Sequence, residues 1–219
     1  MRHVRVPGVW FQVEALGGAT ASGILNPNST TGSLATFSKR LSRAKPWQEV
    51  LLQLGEVDCG FLIWHRAQRK GLSVDEQLAT TLDSYGSFIE RVAGMGFARV
   101  TVLSVPLPTI SDLRSEWTGQ VANQRRQVTA TKAERTALTL RFNLELAERC
   151  ASLGVMFVDV TSGQLDPSTG LIDPGFLRKN NRNHHLAQGP YSRLISEELA
   201  RAWRKPTAGA PPPVLRSVG

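Results

Sequence analysis

Apolar positions along this chain fall into two rhythms, short near-continuous runs and longer stretches repeating every three or four residues. "VWFQVEALGG", closed by Gly17 and Gly18, predicts a first strand. A turn-rich stretch, "ATASGILNPNSTTGS", separates it from a short helix near "LATFSKRLSRA". The run from Glu49 to Leu54 predicts a buried strand that Gly55 ends. Leu78, Leu82, Tyr85, Ile89 and Val92 then mark one face of a helix that stops at Gly94 and Gly96. "ARVTVLSV" reads as a strand ended by "PLP", and Leu138, Phe142, Leu146, Cys150 and Leu153 mark a second long helix. "VMFVDV" gives a further strand, and Tyr191, Leu194, Ile195, Leu199 and Trp203 a last helix. Strands alternating with helices of this length predict βαβ units and a mostly parallel sheet covered on both faces. No internal repeat interrupts the pattern.

Composition narrows the class. At 219 residues the chain suits one substantial core. No apolar run approaches the ~18 residues of a membrane span, and "MRHVRVPGVWFQ" lacks the apolar core of a secretory signal. Cys59 and Cys150 are too few for a disulfide or metal framework, so the expectation is a cytoplasmic protein with no metal and no cofactor. Half of the net charge of +8 lies beyond residue 200, on Arg201, Arg204, Lys205 and Arg216, with no acid among them. That end contains "PTAGAPPPV", so a folded body over 1–205 and a disordered basic, Pro-rich tail over 206–219 are expected. No recognition motif accompanies the charge, which argues against nucleic acid as the main partner. The oligomeric state is not legible.

Four places carry candidate chemistry. Gly17 and Gly18 could turn backbone N–H groups toward a substrate oxygen, or simply supply positive φ at a turn; the lysine and spacing of a phosphate-binding loop are missing. Asn26 and Asn28 sit in a Pro- and Gly-punctuated loop, where Asn is common for turn reasons. Glu56 and Asp58 follow Gly55 at a strand's carboxyl end, where ligands of open α/β sheets gather. In an extended segment both carboxyls would point the same way, as a catalytic pair or as caps of the next element. Cys59, beside them, reads as a small buried hydrophobe. His184 and His185 lie in a polar loop before the last helix and offer a general base.

Taken together, "GGATASGILNPNS", "LGEVDC", "RRQVTATKAERTALTLRFN" and "NHHL" resemble the SGNH (GDSL-like) hydrolase superfamily, in particular bacterial members with a GEIDC-type block. The similarity runs from about Trp10 to Trp203. The resemblance implies an α/β three-layer sandwich with a flavodoxin-like sheet, a serine nucleophile after the first strand, a Gly and an Asn in the oxyanion hole, and a late Asp-x-x-His. It implies ester hydrolysis, with a carbohydrate O-acetyl ester as one substrate class and a catalytically inactive binding module for a glycan or acyl group as the alternative. Residue by residue, Gly17 or Gly18 matches the second-block glycine, Gly55–Asp58 the G-x-N-D block, and His184 or His185 the histidine. Asn28 belongs to the same cleft-forming block. The sequence departs from the pattern at three points. G-D-S is absent, so the sheet is expected to lack its first strand and the chain to begin after the nucleophile block. Val57 replaces the oxyanion asparagine, and Asn181 stands three residues before His184 where aspartate is expected.

Overall fold

The computed structural model of the chain describes residues 3–113, 127–178 and 185–204. Asn181, His184 and the tail over 206–219 lie outside them. Three strands form one parallel sheet in the order β1 (Glu49–Leu52), β2 (Arg99–Leu103), β3 (Met156–Val158). Glu49 is in register with Arg99, and Thr101 with Met156. Between them run α1 (Ser33–Leu41), α2 (Ile63–Lys70), α3 (Val74–Ala93) and α4 (Lys132–Ser152), and α5 (Gln188–Arg204) follows β3.

The two-residue alternation of the strands assigns the layers. Val100 and Val102 join Leu78, Leu82, Tyr85 and Ile89 of α3 and Leu138, Phe142 and Leu146 of α4 in one core. Leu103 and Val158 face the other way, onto Ile195 and Leu199 of α5 and Val4. The result is a three-layer α/β sandwich, helices on both faces of a parallel sheet. Reciprocal side chain–backbone boxes start the two long helices: Ser73 with Glu76 before α3, Thr131 with Glu134 before α4.

The expected first strand does not form. Residues 10–16 pair with no strand, and the only ladder contact nearby is the Val6–Val9 bridge. Trp10 is 93% exposed, and Val9 and Val13 also face solvent, so the apolar run has no opposing surface to bury against. The segment instead crosses α5. Val4 is buried there, Arg5 N–H donates to Ser196 Oγ at 2.8 Å, and Phe11 stacks on Trp203 with ring centroids 6.1 Å apart. β1 consequently pairs with β2 alone among the described residues and is only partly buried.

Candidate active site at the carboxyl edge of the sheet

Gly55 decides the geometry after β1. Its φ of +117° is open to glycine alone in practice, and an added Cβ would stand 2.6 Å from Val105 Cγ2 and 3.5 Å from Phe142 Cε1. The chain then coils at once: Asp58–Leu62 form one π-helical turn that runs straight into α2. The segment is therefore not extended, and Glu56 and Asp58 do not point the same way, contrary to the sequence expectation. Asp58 turns inward and is fully buried, whereas the Glu56 side chain stays 43% exposed.

Asp58 clasps the glycine-rich loop to the sheet. Its carboxylate accepts hydrogen bonds from Ala21 N–H (2.7 Å), Ser22 N–H (3.1 Å) and Ser22 Oγ–H (2.6 Å). Arg66 of α2 donates to the same Ser22 oxygen at 2.6 Å. Burial pushes the Asp58 carboxyl above its ordinary value, and the bonds from Ser22 and Ala21 and the Arg66 charge pull it part of the way back. Cys59 is buried behind it. Burial first, then the Asp58 charge, raise its thiol well above the usual range, which makes it an inert core residue.

Glu56 faces the other half of the site. A cleft of about 220 Å³ opens at the carboxyl ends of β1 and β2, lined by Gln53, Glu56, Pro106, His185, Tyr191 and Ser192 among others. Glu56 Oε1 lies 3.7 Å from His185 Nδ1, an ion-pair distance whenever the imidazole is protonated. "GEVDC" thus reaches both ways, inward to the "GGATAS" turn through Asp58 and outward to His185 through Glu56.

The floor is held by buried polar side chains. Asn143 of α4 accepts from Val105 N–H (2.7 Å) and donates to Val105 C=O (2.9 Å) and Thr161 Oγ1 (3.0 Å). Gln164 accepts from Leu107 N–H at 3.0 Å and donates to Val160 C=O at 2.8 Å. Together these satisfy the backbone where β2 and β3 leave the sheet, fixing the loop that carries Pro106. Gln53 Nε2 donates to Ser104 C=O (2.8 Å) and to the Tyr191 hydroxyl (2.6 Å), tying the cleft wall to α5.

The remaining sequence candidates sit elsewhere. Gly17 and Gly18 form an exposed turn closed by Ala19 N–H to Leu16 C=O at 3.2 Å, with Gly18 at φ +76°. Asn28 is exposed, its N–H donating to Asn26 Oδ1 at 2.9 Å in a local turn. None of the three lines the cleft. The sequence reading missed Gln53, Tyr191 and Ser192. Tyr191 stood on the predicted apolar face of the last helix, and nothing in the local pattern marked its hydroxyl as facing a cleft.

A larger hollow of about 580 Å³ lies between α3 and α4, lined by Glu90, Glu145, Glu148 and Arg149. It belongs to the helical layer, away from the strand ends, and brings no histidine near its carboxylates. Of the two, the smaller cleft is the one that sets a carboxylate beside a histidine. No group of three or more His, Cys, Asp or Glu side chains that could hold a metal ion occurs among the described residues.

No protein-family model matches the sequence, and no curated protein matches it. Solved structures do. One, described as "a putative platelet activating factor from Streptococcus pneumonia", shares 19% identity at a TM-score of 0.45, over 70% of this chain and 58% of that one. An extracellular lipase from Streptomyces rimosus shares 17% identity at a TM-score of 0.45, over 84% of this chain and 77% of the lipase. This chain therefore spans little more than half of the first structure.

Proposed function

We propose that the cleft receives the acyl part of a small ester and that Glu56 and His185 are its proton-handling pair, an ester-hydrolase site of the type the sequence resemblance implies. The carrying observation is the Glu56–His185 pair at the mouth of a parallel sheet, beside a pocket of acyl-group size. His185 is placed to accept the proton of the attacking hydroxyl or water, and Glu56 to stabilise the imidazolium that results. Glu56 would then supply the negative charge that Asn181 cannot. Glu56 and His185 are both exposed, so the alcohol side of an ester bound with its acyl group in the cleft would meet solvent, and an O-acetylated carbohydrate is one substrate class.

A second reading, a non-catalytic acyl-binding module, is favoured by Ser22. The serine of the "GGATAS" turn is engaged by Asp58 and Arg66, with no histidine in that set. Hydrolysis of p-nitrophenyl acetate separates the two. If the site is catalytic, His185→Ala removes turnover above buffer by about 10²-fold or more, and Glu56→Gln removes less. Turnover unchanged in His185→Ala contradicts the catalytic assignment. A parent rate equal to buffer, with the ester still bound in the cleft, establishes the binding module.

A further inference from the structure

Two hydroxyls in the cleft have protons to give and no acceptor for them among the described residues. Ser192 is 3% exposed, and its Oγ has no hydrogen-bond partner among the described residues. The Tyr191 case follows from counting hydrogens. Gln53 Nε2 has two, and both are in use, one on Ser104 C=O and one on the Tyr191 oxygen. The phenol is therefore the acceptor in that bond, and its own proton has no partner in any hydrogen bond found among the described residues. The two residues are neighbours on α5 and line the same cleft as Glu56 and His185. A buried, unsatisfied hydroxyl is costly, and the half-buried Tyr191 phenol beside it still has a proton to give, so the pair suits a ligand that accepts.

We propose that Tyr191 and Ser192 form a subsite for the acyl oxygen of the ligand, donating two hydrogen bonds to one carbonyl or carboxylate group. The assignment rests on the cleft reading and deepens it. Burial, with the Glu56 charge adding to it and the Gln53 bond opposing it, holds the Tyr191 phenol above its ordinary range, so it stays a neutral donor at any working pH. Glu56 and Arg178 both line the cleft, opposite charges that leave the subsite to select the acceptor oxygen rather than its charge. The shared chemistry of ester and released acid is the acceptor oxygen, and their charge distinguishes them.

Acetamide, a neutral acyl group that resists hydrolysis, and acetate, the anion, are the probes, titrated into the whole chain with binding read by NMR shifts. Both probes are expected to bind, and Tyr191→Phe and Ser192→Ala each to weaken acetamide by about fivefold, one hydrogen bond's share. Ser192→Ala removes an unsatisfied buried hydroxyl, so its melting temperature should equal or exceed the parent's while its affinity falls. A merely structural serine would not separate those two readouts. Cleft binding unchanged in both variants overturns the subsite and leaves the cleft reading standing. No shift at any cleft residue with either probe in the parent overturns the cleft reading itself.

Discussion

Replacing Asp58 with alanine should unfold the connection between the glycine-rich loop and the sheet. The carboxylate accepts three hydrogen bonds inside the protein, two of them from backbone N–H groups of Ala21 and Ser22. Removing it strands those donors, and Arg66 keeps only the serine hydroxyl. Hydrogen bonds to a charged acceptor contribute about 1.5–3 kcal/mol each, and breaking a buried charged set costs about 3–5 kcal/mol. The cost of desolvating Asp58 itself offsets part of the gain, so the lower sum applies, about 3–5 kcal/mol. In a chain of this size that is roughly a 10 °C fall in Tm. Asp58→Asn keeps one acceptor oxygen and should lose about 2 kcal/mol. The pH dependence has a definite sign. A carboxyl raised above its ordinary 3.8 in the folded state contributes most when protonated and loses that contribution as pH rises through the folded value. The stability advantage of the parent over Asp58→Asn should therefore narrow as pH rises from about 4 toward neutrality. Urea unfolding of parent, Asp58→Asn and Asp58→Ala at several pH values measures all three quantities. A loss below about 1 kcal/mol in Asp58→Ala, or an advantage that widens with pH, would refute the clasp.

Gly55→Ala combines a forced positive φ with a Cβ 2.6 Å from Val105 Cγ2, so it should cost about 2–4 kcal/mol in the same unfolding assay; a near-neutral change would mean that the turn relaxes freely. Both cysteines should resist a thiol reagent until the protein unfolds, because Cys59 is held well above its ordinary value and burial pushes Cys150 up to about 11. Fast modification of one thiol in the native chain would contradict the buried placement.

The strand–helix alternation, the three-layer class and the polar cluster after Gly55 were legible because each has a local signature in periodicity or punctuation. The segment from Val9 to Leu16 misled for a physical reason: its apolar pattern fits a strand, but a strand forms only where a neighbour offers a ladder and a face. The Glu56/Asp58 geometry misled because it hangs on one backbone angle, the positive φ of Gly55, that starts a helical turn directly after the strand. The capping boxes of Ser73 with Glu76 and Thr131 with Glu134, which start the two long helices, went unread in the sequence. The cleft-facing position of the Tyr191 hydroxyl could not be read, since it depends on Gln53 reaching across 138 positions of sequence.

The proposed ester site is the small cleft beside Glu56 and His185, and not the larger hollow between α3 and α4. Mapping the backbone amide shifts of the whole chain during an acetamide titration tests it most directly. Saturable shifts are expected at Gln53, Glu56, His185, Tyr191 and Ser192, with Glu90, Glu145 and Glu148 unmoved. Saturable shifts confined to the α3–α4 hollow would contradict it.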